Sequence, residues 1–255
     1  MPDPTFSFIV VVDIEGFGKR TIPLQESLHT AMYEVVENAF VDVGVDWPSV
    51  VKLDRGDGIL MLVPVSANSV TLAGRFVGAL HEGLRQKSRM FSAEHQMRMR
   101  VALHQGNCHQ DANGWIGEAI NTASRLVDSA GLRAALAAAG TATMAFIVSD
   151  EIYRGVIRHG YRHIDPAAFA PVDIDVKELH ERAWIQVPGY PFPPGVTPTG
   201  GPPAPPAAAS PAPSPAVSTG GAIFPNAGTM NGDQFVGDKV MGDKFTGDKT
   251  VYGGR

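Results

Sequence analysis

The 255-residue chain has a single cysteine, Cys108, which excludes an internal disulfide framework and suits a reducing compartment. It has no apolar run approaching the ~18 residues that a membrane-spanning helix needs. Its first residues, MPDPTFSFIVVVDIEG, lack the positive n-region and small-residue cleavage site of a signal peptide. Nor is there a surplus of positive charge. Lys and Arg number 21 against 26 Asp and Glu, a net charge of −5, which argues against a general nucleic-acid or anionic-membrane binder. Together these absences point to a cytoplasmic protein with no nucleic-acid and no membrane partner.

What is present is 44% apolar and 18% charged, enough for one α/β domain of ordinary size plus extra segments. Composition divides the chain into three zones. Residues 1–190 read as globular. Residues 191–221, PFPPGVTPTGGPPAPPAAASPAPSPAVSTGG, bury too little apolar surface to offset their ordering entropy and read as a flexible linker. Residues 222–255 carry Gly-Asp every five residues, at Gly232, Gly237, Gly242 and Gly247. Four such units are too few for a core of their own. Two readings stay open for this tail: a disordered segment, or short strands formed only with another chain.

Within the globular zone, FSFIVVVDI (6–14) predicts a strand buried on both faces. Leu24, Leu28, Ala31, Val35, Ala39 and Val43 predict a helix over 23–44, with Pro23 at its start and Gly44 as its stop. SVVKLD and GILMLVP predict a hairpin closed by Gly56-Asp57-Gly58. A second helix is expected over 67–91, a strand over 97–106, and a helix over 117–130 burying Ile120, Ala123, Val127 and Ala130. MAFIVS reads as a strand, DEIYRGVIRHG as a short helix, and 171–177 and 183–188 as two final strands. The mixture indicates α+β with an antiparallel or mixed sheet. Residues 131–140, GLRAALAAAG, look like a helical insertion with packing alanines, and Lys87, Arg89, Arg98 and Arg100 like a solvated face.

Two aspartates stand out: Asp13 at the end of the first strand and Asp57 at the hairpin tip. If their strands are neighbours, the carboxylates meet at one edge of a sheet. Paired carboxylates suit Mg²⁺ or Mn²⁺, which take hard oxygen ligands and leave room for phosphates. Spacing alone leaves open that Asp13 caps a turn and Asp57 is a turn residue. Asn121 and Arg125, four residues apart, share a helix face off the apolar stripe. They suit a sugar and a phosphate, or an ordinary solvated face. His104, Cys108 and His109 lack a fourth ligand at standard zinc spacing.

In order and spacing, VVVDIEGF (10–17), RGDGILMLV (55–63), RVALHQG (100–106), WIGEAINTASRL (115–126) and FIVSDEIY (146–153) resemble the class III nucleotidyl cyclase homology domain of adenylate and guanylate cyclases. The resemblance covers about residues 5–190. It implies a ferredoxin-like α+β core with a mixed or antiparallel sheet, paired head to tail as a homodimer whose active sites span the interface. It implies that Asp13 and Asp57 bind two Mg²⁺ or Mn²⁺ ions, that Asn121 positions the ribose, and that Arg125 stabilises the pentavalent phosphate. Lys177 falls near the family's triphosphate-binding lysine. The implied activity is conversion of a nucleoside triphosphate to a 3′,5′-cyclic nucleotide and pyrophosphate.

The purine-selecting residues of the family are missing. Leu53 stands where purine cyclases place a lysine or glutamate, and Gly114 where they usually place an aspartate. Lys52 is one residue off, on the opposite face of a strand unless a bulge intervenes. Asp111 lies near Gly114. An active cyclase with atypical base recognition is therefore one reading. A catalytically inactive nucleotide-binding or dimerisation adaptor in a signalling or defence system, recruiting a protein partner through the repeat tail, is the other.

Overall fold

Strand β1 (Thr5–Ile14) is buried on both faces, which is why its sequence is an unbroken apolar run. Phe8, Val10, Val12 and Ile14 enter one core, and Ile9 and Val11 the other. By the same alternation Asp13 lies on the face of Ile9 and Val11. The structure is a computed structural model that describes residues 3–176 and 179–196.

Helix α1 (Ile22–Asp42) follows, with Pro23 in its first turn. It buries Leu28, Ala31, Met32, Val35, Val36, Ala39 and Phe40 against the first core. β2 (Val51–Asp54) and β3 (Gly58–Pro64) form the expected hairpin. The predicted helix over 67–91 is three pieces: α2 (Ser69–Thr71), a π-helical turn (Leu72–Phe76) and α3 (Val77–Met90). Gly74 lies in the π turn, where an added Cβ would stand 3.1 Å from Ile164.

The expected strand over 97–106 is longer than its apolar alternation. β4 runs from Met99 to Asp111 and folds back through Asn113 and Gly114 into β5 (Gly114–Ile116). α4 (Glu118–Val127) then packs on β4 and β1. It ends before Ala130, which is exposed and opens α5 (Ala130–Ala138) instead of being buried by α4. Ser129 caps α5, its hydroxyl accepting from the Leu132 N–H at 3.4 Å. β6 (Met144–Ser149), α6 (Asp150–Gly155), β7 (Ala170–Val176) and β8 (Leu179–Gln186) complete the described chain.

The sheet order is β2-β3-β1-β4-β6-β8-β7, with β5 paired to β4 alone. Among the described residues only the β4–β6 pair is parallel, so the sheet is mixed. Its β2-β3-β1-β4 half has the strand order and antiparallel pairing of a ferredoxin-like unit. The α1 and α3 side forms the larger core, and α4 and α5 cover the other face. The expected α+β class with a ferredoxin-like core is the class found. Lys177, most of the 191–221 segment and the whole 222–255 tail lie outside the described residues.

Candidate active site

The β1–β3 register sets Asp13 opposite Gly58, and the Ile14 N–H donates to the Asp57 carbonyl at 2.8 Å. Asp13 and the turn that carries Asp57 are therefore neighbours at one end of the sheet. Two glycines permit this. Gly56 takes φ +83°, a left-handed conformation that side chains disfavour. At Gly58 an added Cβ would lie 2.2 Å from the Val12 carbonyl oxygen, so only glycine lets β3 approach β1 there.

The β1–β4 register places Arg100 opposite Asp13. Its Nε donates to Asp13 Oδ1 at 2.8 Å and its Nη2 to the same oxygen. Both side chains are about 15% exposed, at 14% for Asp13 and 15% for Arg100. Burial raises the Asp13 carboxyl above the usual carboxylate range; Arg100 opposes this, while the Asp57 and Asp128 carboxylates push it further up. Arg100 is thus part of the site and not of a solvated face. Alternation alone does not show that a helix covers its side of the sheet.

The other cations of that expected face also differ from one another. Arg98 is half-buried, donating to the carbonyls of Leu136, Ala139 and Ala142 and pairing with Glu15 at 3.4 Å. It ties the C-terminal end of α5 to the loop after Asp13. Lys87 pairs with Glu34 at 2.6 Å. Arg89 is exposed, as expected.

On α4, Asn121 is exposed and Arg125 half-buried, while Ile120, Ala123, Leu126 and Val127 face the core. α4 lies on the same side of the sheet as Asp13 and Arg100, and Asp128, just past its end, acts electrostatically on Asp13. Leu53 packs against this core too. Lys52 does not. It donates to the Trp47 carbonyl at 3.0 Å and stands 4.6 Å from the Trp47 ring centre on the opposite face. The β2–β3 pairing is continuous from Val51 to Asp54, so no bulge turns Lys52 back.

Gly114 opens β5 at φ +135°. Asp111 is exposed and accepts from the Asn113 N–H at 2.7 Å, closing the β4–β5 turn. His104 and Cys108 lie on the α4 face of β4 and His109 on the other, so the three do not converge.

The donors at the sheet end fit a hard divalent cation. Asp13 and Asp57 offer carboxylate oxygens from adjacent elements, and the Asp57 charge helps raise the Asp13 carboxyl, which a cation would offset. Arg100 uses Oδ1 of Asp13 for both of its bonds and does not engage Oδ2. Sequence reasoning missed the role of Arg100 here, having read it as part of a solvated face. Only the β1–β4 register reveals it. A surface cavity of about 540 Å³ between α1 and α3 is lined by Glu34, Glu82 and Lys87, and none of Asp13, Asp57 and Arg100 lines it.

No protein-family model and no curated protein matches the sequence. Solved structures do. An adenylate/guanylate cyclase/hydrolase from Silicibacter pomeroyi aligns with a TM-score of 0.54 at 17% identity, covering 74% of this chain and all of that one, 100%. The guanylyl cyclase domain of the RhoGC fusion protein from the aquatic fungus Blastocladiella emersonii aligns at 0.48 and 16% identity, over 74% of this chain and 99% of that chain. The guanylate cyclase domain of RhGC from Catenaria anguillulae aligns at 0.47 and 16%, over 73% and 99%. The first of these shows the fold: the described residues have the α+β fold of an adenylate/guanylate cyclase domain.

Proposed function

We propose that the chain is a metal-dependent nucleotidyl cyclase of atypical base recognition. It would act as a homodimer on a nucleoside triphosphate to give a 3′,5′-cyclic nucleotide and pyrophosphate. The observation that carries this reading is the meeting of Asp13, the Asp57 turn and Arg100 at one sheet end, on the face that bears α4.

In this reading Asp13 and Asp57 hold two Mg²⁺ or Mn²⁺ ions, which when bound acidify the attacking hydroxyl and spread the charge of the phosphates. The 3′-oxygen attacks the α-phosphorus and its proton passes to solvent. The bond to the bridging oxygen breaks, and pyrophosphate leaves with the electron pair. Asn121 of a second copy orients the ribose. Arg125 of that copy places fixed positive charge on the α-phosphate as negative charge develops there. Arg100, whose Nε and Nη2 donate to Asp13, adds fixed positive charge beside the place of the phosphates. Lys177 is proposed to reach the terminal phosphates.

Base recognition rests on different groups from those of purine cyclases. Leu53 presents no hydrogen-bond donor or acceptor, and Lys52 is engaged by Trp47 on the opposite face. The same observation supports a second reading, a catalytically inactive relative that binds nucleotide or dimerises. In it the 222–255 repeats recruit a protein partner across the 191–221 linker.

Incubation with ATP, GTP, CTP or UTP plus Mn²⁺ separates the two. A cyclic product that is lost in Asp57→Ala supports the cyclase. No product from any of the four, with the dimer intact, supports the adaptor.

A further inference from the structure

Asp54, the last residue of β2, is bonded in two directions at once. Its Oδ1 accepts from the Gly56 N–H at 2.8 Å, closing an Asx turn inside the segment that leads to Asp57. Its Oδ2 accepts from the Tyr33 hydroxyl at 2.7 Å and from His29 Nε2 at 2.7 Å. His29 and Tyr33 are four residues apart on α1, hence on one face of that helix, and their rings lie 5.0 Å apart. One carboxylate therefore joins the turn that carries a candidate metal ligand to the longest helix of the larger core.

The rest of the turn is fixed by backbone. Arg55 N–H donates to the Gly58 carbonyl at 2.9 Å, and the Asp57 carbonyl accepts from Ile14 at 2.8 Å. The peptide between Asp54 and Gly56 is exposed, Gly56 takes φ +83°, and Asp54 supplies the side-chain bond to it. We infer that Asp54 is a positioning residue: held by His29 and Tyr33, it sets the 55–57 turn and through it the place of the Asp57 carboxylate.

Charge supports the arrangement. The Tyr33 hydroxyl lowers the Asp54 carboxyl below its usual range, with Gly56 and His29 adding to the effect, so Asp54 stays an acceptor. Burial first, and the Asp54 carboxylate second, pushes Tyr33 up to about 12, so its hydroxyl stays a donor.

The metal half of the inference rests on the cation-binding reading of Asp57; the turn half does not. Two readouts keep them apart. Amide hydrogen exchange on the full chain follows the turn. Mn²⁺ binding, read from the electron paramagnetic resonance of the free ion, follows the ligand. Asp54→Ala is expected to speed exchange at Gly56 about tenfold and to weaken Mn²⁺ about tenfold. Asp54→Asn keeps an acceptor for Gly56 and is expected to recover most of both. His29→Ala combined with Tyr33→Phe, which leaves the turn sequence untouched, is expected to move both readouts in the direction of Asp54→Ala.

Unchanged Gly56 exchange in Asp54→Ala overturns the positioning role. So does Mn²⁺ affinity equally weak in Asp54→Asn and Asp54→Ala, because the carboxylate charge itself would then be acting. A wild-type chain that binds no Mn²⁺ overturns the cation reading of Asp57, and the exchange data still decide the turn.

Discussion

Arg100 sits across the strand pair from Asp13 and donates two hydrogen bonds to one of its carboxylate oxygens. A cation of the protein thus already neutralises the carboxylate that the proposed chemistry assigns to metal. Arg100→Gln should release it. Losing one partner of a half-buried pair is expected to cost about 1–3 kcal/mol in metal-free protein. Added Mn²⁺ should then raise Tm more in Arg100→Gln than in wild type, since Asp13 no longer divides its charge. Equal Mn²⁺ shifts in the two proteins would place the ion elsewhere.

Lys52 is the obvious candidate for reading a base, and its geometry says otherwise. It bonds the Trp47 carbonyl at 3.0 Å and lies over the Trp47 ring. Lys52→Ala is expected to lower stability by about 1 kcal/mol and to leave the order of kcat/KM among the four nucleotides unchanged. A reordered preference would bring Lys52 back into the site.

α4 reaches the site because Gly106 lets it lie directly on β4. An added Cβ there would stand 2.6 Å from the Ala119 Cβ. Gly106→Ala is expected to destabilise by about 1–3 kcal/mol through overpacking. Ala119→Gly should recover part of that loss in the double variant, with a coupling of about 1 kcal/mol by urea unfolding. Additive losses would mean that the helix moves aside freely.

His104 is buried, its Nδ1 has no hydrogen-bond partner, and burial pushes its pKa down to about 4. The unfolded chain binds this proton near pH 6.5 and the folded chain does not. The contribution is therefore complete above ~6.5 and is lost as pH falls toward 4. Between pH 7 and pH 5 the loss is about 2 kcal/mol. His104→Leu should flatten that part of the stability profile. A profile as steep as that of wild type would assign the acid sensitivity to other groups.

These features differ in how far the sequence reveals them. β1 was legible because both its faces are buried and its apolar run has no interruption. The β2–β3 hairpin was legible because its turn residues have one structural meaning. β5 was not legible because it is only three residues long and pairs with β4 alone, across the Ala112-Asn113 turn. Arg100 was misplaced because alternation reports a polar position but not the helix layer above it or the residue across the strand. Asp54 was unreadable for a related reason, since its partners lie 21 and 25 residues away on α1. The π turn at Leu72–Phe76 has no periodic signature, although it contains Gly74, where an added Cβ would stand 3.1 Å from Ile164.

The proposed site takes carboxylates from one chain and Arg125 from another, and mixed dimers test that division. Asp57→Ala and Arg125→Ala chains, carrying different affinity tags, are co-expressed and the heterodimer is isolated through both tags. Each single variant should be inactive with Mn²⁺ and the preferred nucleotide. The heterodimer keeps one intact site of two and should show about half the wild-type activity. A heterodimer as inactive as its parents would contradict a site shared between subunits, as would an Asp57→Ala homodimer of wild-type activity.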